Sequence, residues 1–360
     1  MLLTTIDRHI IIRVLLAYAL LIGVLVIFFV LIHYLEHIDD FLDRNASLTK
    51  IYLIYYPNFT PGIIQQVSPL ALFLAAIFVT SRLAQSLQVI ALQTNGLSLG
   101  RLLVPYALLG IFVTAMMFFV GGWISPQTNQ VVHSYDELYI KSRTPQIYVS
   151  DIHRRNDPSS VVTVGYFDRR TNTAHRVQLQ KFHADGKLME RVDSQQMVWA
   201  DSVWHFSYAT IRSFHSGKET RRIRSPLDTV LNVLPQDFAR TERDVESMTI
   251  PVAIEYVDAL QRSGLSNIGR DMVGYYSKFA YPFTNFIVML LALPLACKRR
   301  KGGQTVQIGM GLLIAFIYLS AQKLTEPFGY TQDIAPLFAV IAPHAVFLIG
   351  AVIALMTARR

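Results

Sequence analysis

The chain has a single cysteine, Cys297, so no intrachain disulfide can form. No Cys-x-x-Cys pair or Cys/His spacing for structural zinc accompanies it. Charge is also scarce. Asp, Glu, Lys and Arg make up 16% of the residues, below the usual share of a soluble domain. That shortage is concentrated in long uncharged runs at both ends, while the middle reads like soluble protein. No phosphate-binding loop is present: Gly217-Lys218 lacks a glycine five residues earlier, so the chain is not expected to hydrolyse ATP itself. No G-x-S-x-G nucleophile elbow occurs either. The first apolar run is too long for a signal peptide and lacks a small-residue cleavage site, which predicts a permanent helix.

What is there instead is a set of apolar segments. A helix needs ~20 apolar residues to cross the hydrocarbon core, and six stretches qualify. They are Val14 to Ile32, about Gly62 to Thr80, Leu102 to Trp123, Phe279 to Cys297, about Val306 to Gln322, and about Pro336 to Thr357. The second is interrupted in its outer half by Gln65, Gln66 and Ser68.

Basic residues in short loops mark the cytoplasmic side. Arg8 and Arg13, then Arg82 and Arg101, then Lys298 to Lys301, then Arg359 and Arg360 all fall at one end of the spans. Glu36, Asp39, Asp40 and Asp43 fall at the other. The reading is six helices with both termini inside. The net charge of +8 is then largely a topology signal, and nucleic acid is not an expected partner.

The long segment between spans three and four has strand patterning. Ser160 to Phe167, Arg176 to Phe182 and Met197 to Phe214 are rich in alternating and β-branched or aromatic residues. Breaks fall at Asp168 to Thr173, Asp185-Gly186 and Ser216-Gly217. Short strands at that spacing predict an antiparallel sandwich or jelly roll on the far side of the membrane. Val162, Val164, Val177, Leu179, Trp199 and Phe206 are candidates for its apolar interior. Pro251 to Leu260, with the break at Gly264, predicts a helical hairpin returning to the membrane. The expected domains are residues 1–124, 125–269 and 270–360.

Three features could carry function. His33-Tyr34-Leu35-Glu36-His37 matches H-x-x-E-H, with both histidines on one helical face and Glu36 able to activate water. The alternative is a polar collar where helix one leaves the membrane. Residues 84–101 form a short amphipathic segment after span two, with Leu87, Ile90 and Ala91 on one face, Thr94 beyond, and Asn95-Gly96 as a helix stop. It can lie on the membrane, dock a partner, or simply connect two spans. Polar residues within the spans are Gln65, Gln66, Asn285, Gln322 and His344, with Lys278 and Lys323 at helix ends. They are either functional or engaged in interhelical hydrogen bonds and snorkelling.

Several segments then resemble a known family. They are Asp7-Arg8-His9-Ile10, Leu83-Ala84-Gln85 through Asn95-Gly96-Leu97-Ser98, Trp123-Ile124-Ser125-Pro126, Trp199 to Phe206, Ser277-Lys278-Phe279-Ala280-Tyr281-Pro282, and Leu293-Pro294. In that order they resemble the lipopolysaccharide-export permeases of the LptF/LptG family, over essentially the whole chain, with the opening motif nearer the G-type.

The resemblance implies a multi-pass inner-membrane protein of six transmembrane helices with a periplasmic antiparallel β-jellyroll domain between helices three and four. It implies a permease subunit of an ABC transporter that extracts lipopolysaccharide. The implied partners are a second such permease, a cytoplasmic LptB-type ATPase that uses ATP, an LptC-type single-span protein and an LptA-type periplasmic bridge. It makes residues 84–96 a coupling helix, carried by Leu87, Gln88, Ile90, Ala91, Leu92, Asn95 and Gly96. Gln88 stands where the family commonly has an acid. It also makes His33, His37, Lys278 and Lys323 candidates for lipid phosphates. No cofactor, metal ligand or catalytic residue is implied in this chain. A zinc peptidase on His33, Glu36 and His37, or a scaffold recruiting periplasmic partners, are the competing readings.

Overall fold

The computed structural model describes residues 4–44, 46–140, 152–168, 171–183, 186–215, 218–224, 227–235, 238, 245–263, 268–297 and 302–358. The basic residues Lys298 to Lys301, Arg359 and Arg360, and the breaks at Asp185, Ser216-Gly217 and Gly264, lie outside them. The chain divides into a helical unit (1–141, 245–253 and 269–360) and a β unit (142–244 and 254–268).

The helical unit begins with α1, Thr5–Asp43. Thr4 and Asp7 form a capping box: the Thr4 side chain accepts from the Asp7 backbone N–H, and the Asp7 carboxylate accepts from that of Thr4. At 39 residues, α1 is about 58 Å long, well beyond the ~30 Å hydrocarbon core. Both its ends therefore project past the apolar run Val14 to Ile32.

A π-helical turn, Ile51–Tyr55, leads into α2, Tyr56–Gln85. This span is deeply buried along its second half. Ala71, Leu72, Phe73, Ala75, Ala76 and Ile77 are wholly enclosed. The short α3, Gln88–Thr94, is followed by α4, Leu99–Phe119. A second π-helical turn at Val120–Ile124 carries the chain into α5, Ser125–Tyr139, without a break. Helix three thus continues past Trp123, with the π-helical turn placed directly before Ser125-Pro126.

After α6, Ile250–Ser263, come α7, Gly269–Ala280, and α8, Phe283–Ala296. The fourth span is therefore not one straight helix. Its two halves meet at 50°, because Pro282 has no N–H and disfavours the helical conformation of Tyr281. α9, Gly303–Tyr330, and α10, Pro336–Ala358, complete the unit. Among the described residues, five helical segments are long and apolar enough to cross a membrane, and six when the bent pair α7–α8 counts as one span.

α2 and α8 form the centre of the bundle. Gly110 of α4 lets α8 approach closely: a Cβ there would stand 3.1 Å from that of Met289. Several of the polar residues inside are paired. Ser68 of α2 donates to the Asn285 side-chain oxygen at 2.9 Å and shares a 2.7 Å hydrogen bond with the Tyr18 hydroxyl. Thr80 pairs with Tyr106 at 2.6 Å, and Gln322 donates to Thr284 at 2.8 Å. His344 Nε2 lies 2.8 Å from the carbonyl of Ala280, which the helix break leaves free.

The β unit is one antiparallel sheet of β1 (Ile152–Asp157), β2 (Ser160–Asp168), β3 (Thr173–Phe182), β4 (Leu188–Ala200), β5 (Val203–Phe206), β6 (Ala209–His215), β7 (Lys218–Arg224) and β8 (Leu227–Thr229). β4 is long enough to pair twice, its first half with β6 and its second with β5. Asp201 and Ser202 both have positive φ, which closes a tight two-residue hairpin and sets Trp199 opposite Trp204. Val162, Val164, Val177, Leu179 and Phe206 are buried as expected, but Trp199 is only half-buried. Trp204 is the enclosed member of the pair, its indole N–H donating to the Val233 carbonyl at 2.7 Å.

Candidate functional site

One end of the helical unit carries α3. Leu87, at φ +60°, breaks the helical path after α2 and starts a new helix. Asn95 and Gly96 stop it. Gly96 takes φ +86°, Leu97 N–H bonds the Leu92 carbonyl at 3.0 Å, and the Asn95 amide donates to the Ala91 carbonyl at 2.7 Å. This is the left-handed helix stop expected of Asn-Gly.

The short helix buries Val89 and half-buries Leu92, while Leu87 and Ile90 stand 47% and 48% exposed beside exposed Gln88 and Ala91. An apolar helix face left open in this way is suited to a partner. A groove of about 360 Å³ runs between α3 and the start of α1, with Gln88, Ala91, Leu92 and Asn95 on one wall and Ile6, His9 and Ile10 on the other.

The sequence reading missed what holds this end together. Arg101, in the first turn of α4, grips Asp7 with two nitrogens at 2.9 and 2.6 Å, and the Asp7 side chain is only 4% exposed. The fork ties the start of α1 to the start of α4, bracketing α3. Thr4-x-x-Asp7 signals the cap, but nothing in the sequence signals the Arg101 partner 94 residues away.

At the opposite end, His33 and His37 lie one turn apart, their rings tilted against each other with 4.4 Å between centroids. His33 also meets Phe59 at 4.5 Å and Tyr55 at 5.7 Å. The Tyr55 hydroxyl lies 3.4 Å from His33 Nε2 and donates to Asp136 at 2.7 Å. Tyr55, Phe59 and Asp136 were not legible as site residues, because the π-helical turn that aims Tyr55 has no sequence signature. Among the described residues, no three His, Cys, Asp or Glu side chains converge as a metal-ligand set would.

The two candidate lysines are each engaged elsewhere. Lys278 Nζ donates to the Glu246 carbonyl at 3.0 Å. Lys323 Nζ pairs with Glu326 at 2.7 Å and sits 5.1 Å from the centre of the Tyr281 ring. Glu326 is buried and also accepts from the hydroxyls of Tyr281 and Tyr330. It escaped the sequence reading because α9 runs on to Tyr330, past the apolar run that ended at Gln322. The structure thus brings His33 to His37, and Gln88, Ala91, Leu92 and Asn95 to one groove. Among the described residues no hydrogen bond or ring contact joins the histidines to either lysine.

A family model described as lipopolysaccharide export system permease LptF/LptG matches residues 8–357. No curated protein matches the chain.

Proposed function

The chain belongs to the LptF/LptG family of lipopolysaccharide-export permeases, and from that premise we propose that it is one of two permease subunits in the membrane core of an ABC transporter. The α3 end faces the cytoplasm and the β unit the periplasm. Arg8, Arg13, Arg82 and Arg101 near the first end, against Glu36, Asp39, Asp40 and Asp43 at the other, support that orientation.

A lipid with several acyl chains cannot leave a bilayer without losing ~0.8 kcal/mol for each CH₂ exposed. Extraction therefore needs an energy source. The source proposed is a separate cytoplasmic ATPase of the LptB type, docked on α3. The observation that carries this reading is the open face of Leu87, Ile90 and Ala91 on a short helix that starts at Leu87 and is stopped by Asn95-Gly96. Gln88 supplies an amide hydrogen bond there in place of an ion pair. An LptC-type protein and an LptA-type bridge receive the lipid from the β unit.

His33 and His37, Lys278 and Lys323 are the proposed phosphate contacts. Lys323 holds an anion only in competition with Glu326, and a histidine holds one less firmly than a lysine.

The test is ATP hydrolysis after co-expression with the ATPase and a second permease, in lipid nanodiscs. A complex that hydrolyses ATP as wild type and falls apart with Ala91→Arg is the expected result. A wild-type chain that neither binds the ATPase nor alters its turnover overturns the reading.

A further inference from the structure

The register of the sheet gathers arginines along one margin of the β unit. Arg191 of β4 stands opposite Arg212 of β6, and Arg212 opposite Arg221 of β7. In the adjacent row Val192 and Ile211 pack on the core while Arg222, at the end of the row, is exposed, so the three-arginine row lies on the outer face. Neighbouring strands are about 4.8 Å apart, and like charges directly opposite one another destabilise a sheet.

Two carboxylates offset part of this charge. Asp193 accepts from Arg191 Nε at 2.8 Å and lies 3.4 Å from Arg212 Nε, while Glu219 is 3.9 Å from Arg212 Nε. Arg221, Arg222 and Arg224 are exposed, and among the described residues none has a carboxylate within ion-pair distance.

Among the described residues β7 pairs only with β6 and is an edge strand. Arg222 and Arg224 sit opposite Ile211 and Ala209, on the core side, so both faces of this edge are cationic. Between them Ile223 is 69% exposed. All five of these cations are arginines, whose planar forks match phosphate oxygens in pairs where a lysine offers a point charge.

We propose that Arg191, Arg212 and Arg221 on the outer face, with Arg222 and Arg224 reaching round the exposed β7 edge, form a binding site for the phosphate groups of an anionic glycolipid passing the β unit. The site rests on the permease reading and adds to it a place outside the membrane where the headgroup is held. Ile223 covers apolar surface next to the phosphate. The like-charge row is stabilised when the anion is bound.

The experiment uses the full chain in nanodiscs of uncharged lipid. Binding is measured for a bisphosphorylated glycolipid, its dephosphorylated form, phosphatidic acid and inorganic phosphate, for wild type, R221Q/R222Q/R224Q and R221K/R222K/R224K. The glutamine variant is expected to bind the phosphorylated glycolipid about tenfold more weakly, with the dephosphorylated form unaffected and the lysine variant intermediate. Unchanged binding by the glutamine variant, with or without self-association through β7, overturns the site and leaves the arginines as guards of an edge strand. Equal binding of phosphatidic acid or inorganic phosphate overturns the glycolipid assignment. ATPase coupling is read in parallel on the chain co-expressed with the ATPase and a second permease: its absence in wild type, with phosphate-dependent binding intact, removes the permease reading and not the site.

Discussion

Asp7 acts twice at the start of α1, as a helix cap and as the acceptor of the Arg101 fork. Its burial makes the pair costly to break, since removing one charge leaves the other unpaired. Asp7→Asn is expected to lower stability by about 2 kcal/mol, read as a drop in the unfolding temperature in detergent, and to loosen the loop carrying α3.

Two residues of the β unit set its response to pH. Asp228, hydrogen-bonded at 2.7 Å, holds the His205 imidazolium above the ordinary histidine range. A raised pKa contributes stability below the unfolded value, lost as pH rises through the folded one. Unfolding at pH 5.5 and pH 8 should therefore differ less in Asp228→Asn than in wild type. Asp157 goes the other way: the hydroxyls of Ser160 and Ser159 lower it to about 2. Its contribution is present above the usual aspartate value and lost as pH falls towards 2, and Ser160→Ala should move that acid limb of the unfolding curve upward.

At the scale of the element, the short α3 depends on its stop. Gly96 adopts a left-handed conformation that costs a β-branched residue roughly 1–2 kcal/mol. Gly96→Val should fray the helix, raising amide exchange at Leu92 to Leu97 and weakening ATPase docking without unfolding the bundle. The bend of the fourth span likewise has a local cause in Pro282 and a tertiary brace in His344 and Glu326, which engage Ala280 and Tyr281. Asn-Gly was readable from neighbouring residues, because caps are short-range, whereas the break at Tyr281-Pro282 was not read and the fourth span was expected to run unbroken from Phe279 to Cys297. The continuation of helix three into α5, and of α9 to Tyr330, was not read either: Ser125 to Tyr139 and Lys323 to Glu326 are too polar to read as span, and their helices persist because hydrogen-bonded turns propagate until something stops them.

At the scale of the whole molecule, the bundle rests on close approach of α4 and α8. A leucine at Gly110 would meet Met289 and Phe286 at 3.1 to 3.3 Å with its Cβ alone. Overpacking of this kind costs about 1–3 kcal/mol. Gly110→Leu is expected to lower the unfolding temperature in nanodiscs, and Gly23→Leu, where a Cβ meets nothing, is the matched control. The sequence by itself determined the apolar spans, the inserted antiparallel sheet and the family, because hydropathy runs, strand alternation and motif order are properties of neighbours along the chain. Only the tertiary structure decided that Asp7 meets Arg101, that Tyr55 and Phe59 enclose His33, that Glu326 takes up Lys323, and that three arginines from three strands form one row. Each of those depends on helix rotation or strand register, where a shift of one residue turns a side chain to a different neighbour.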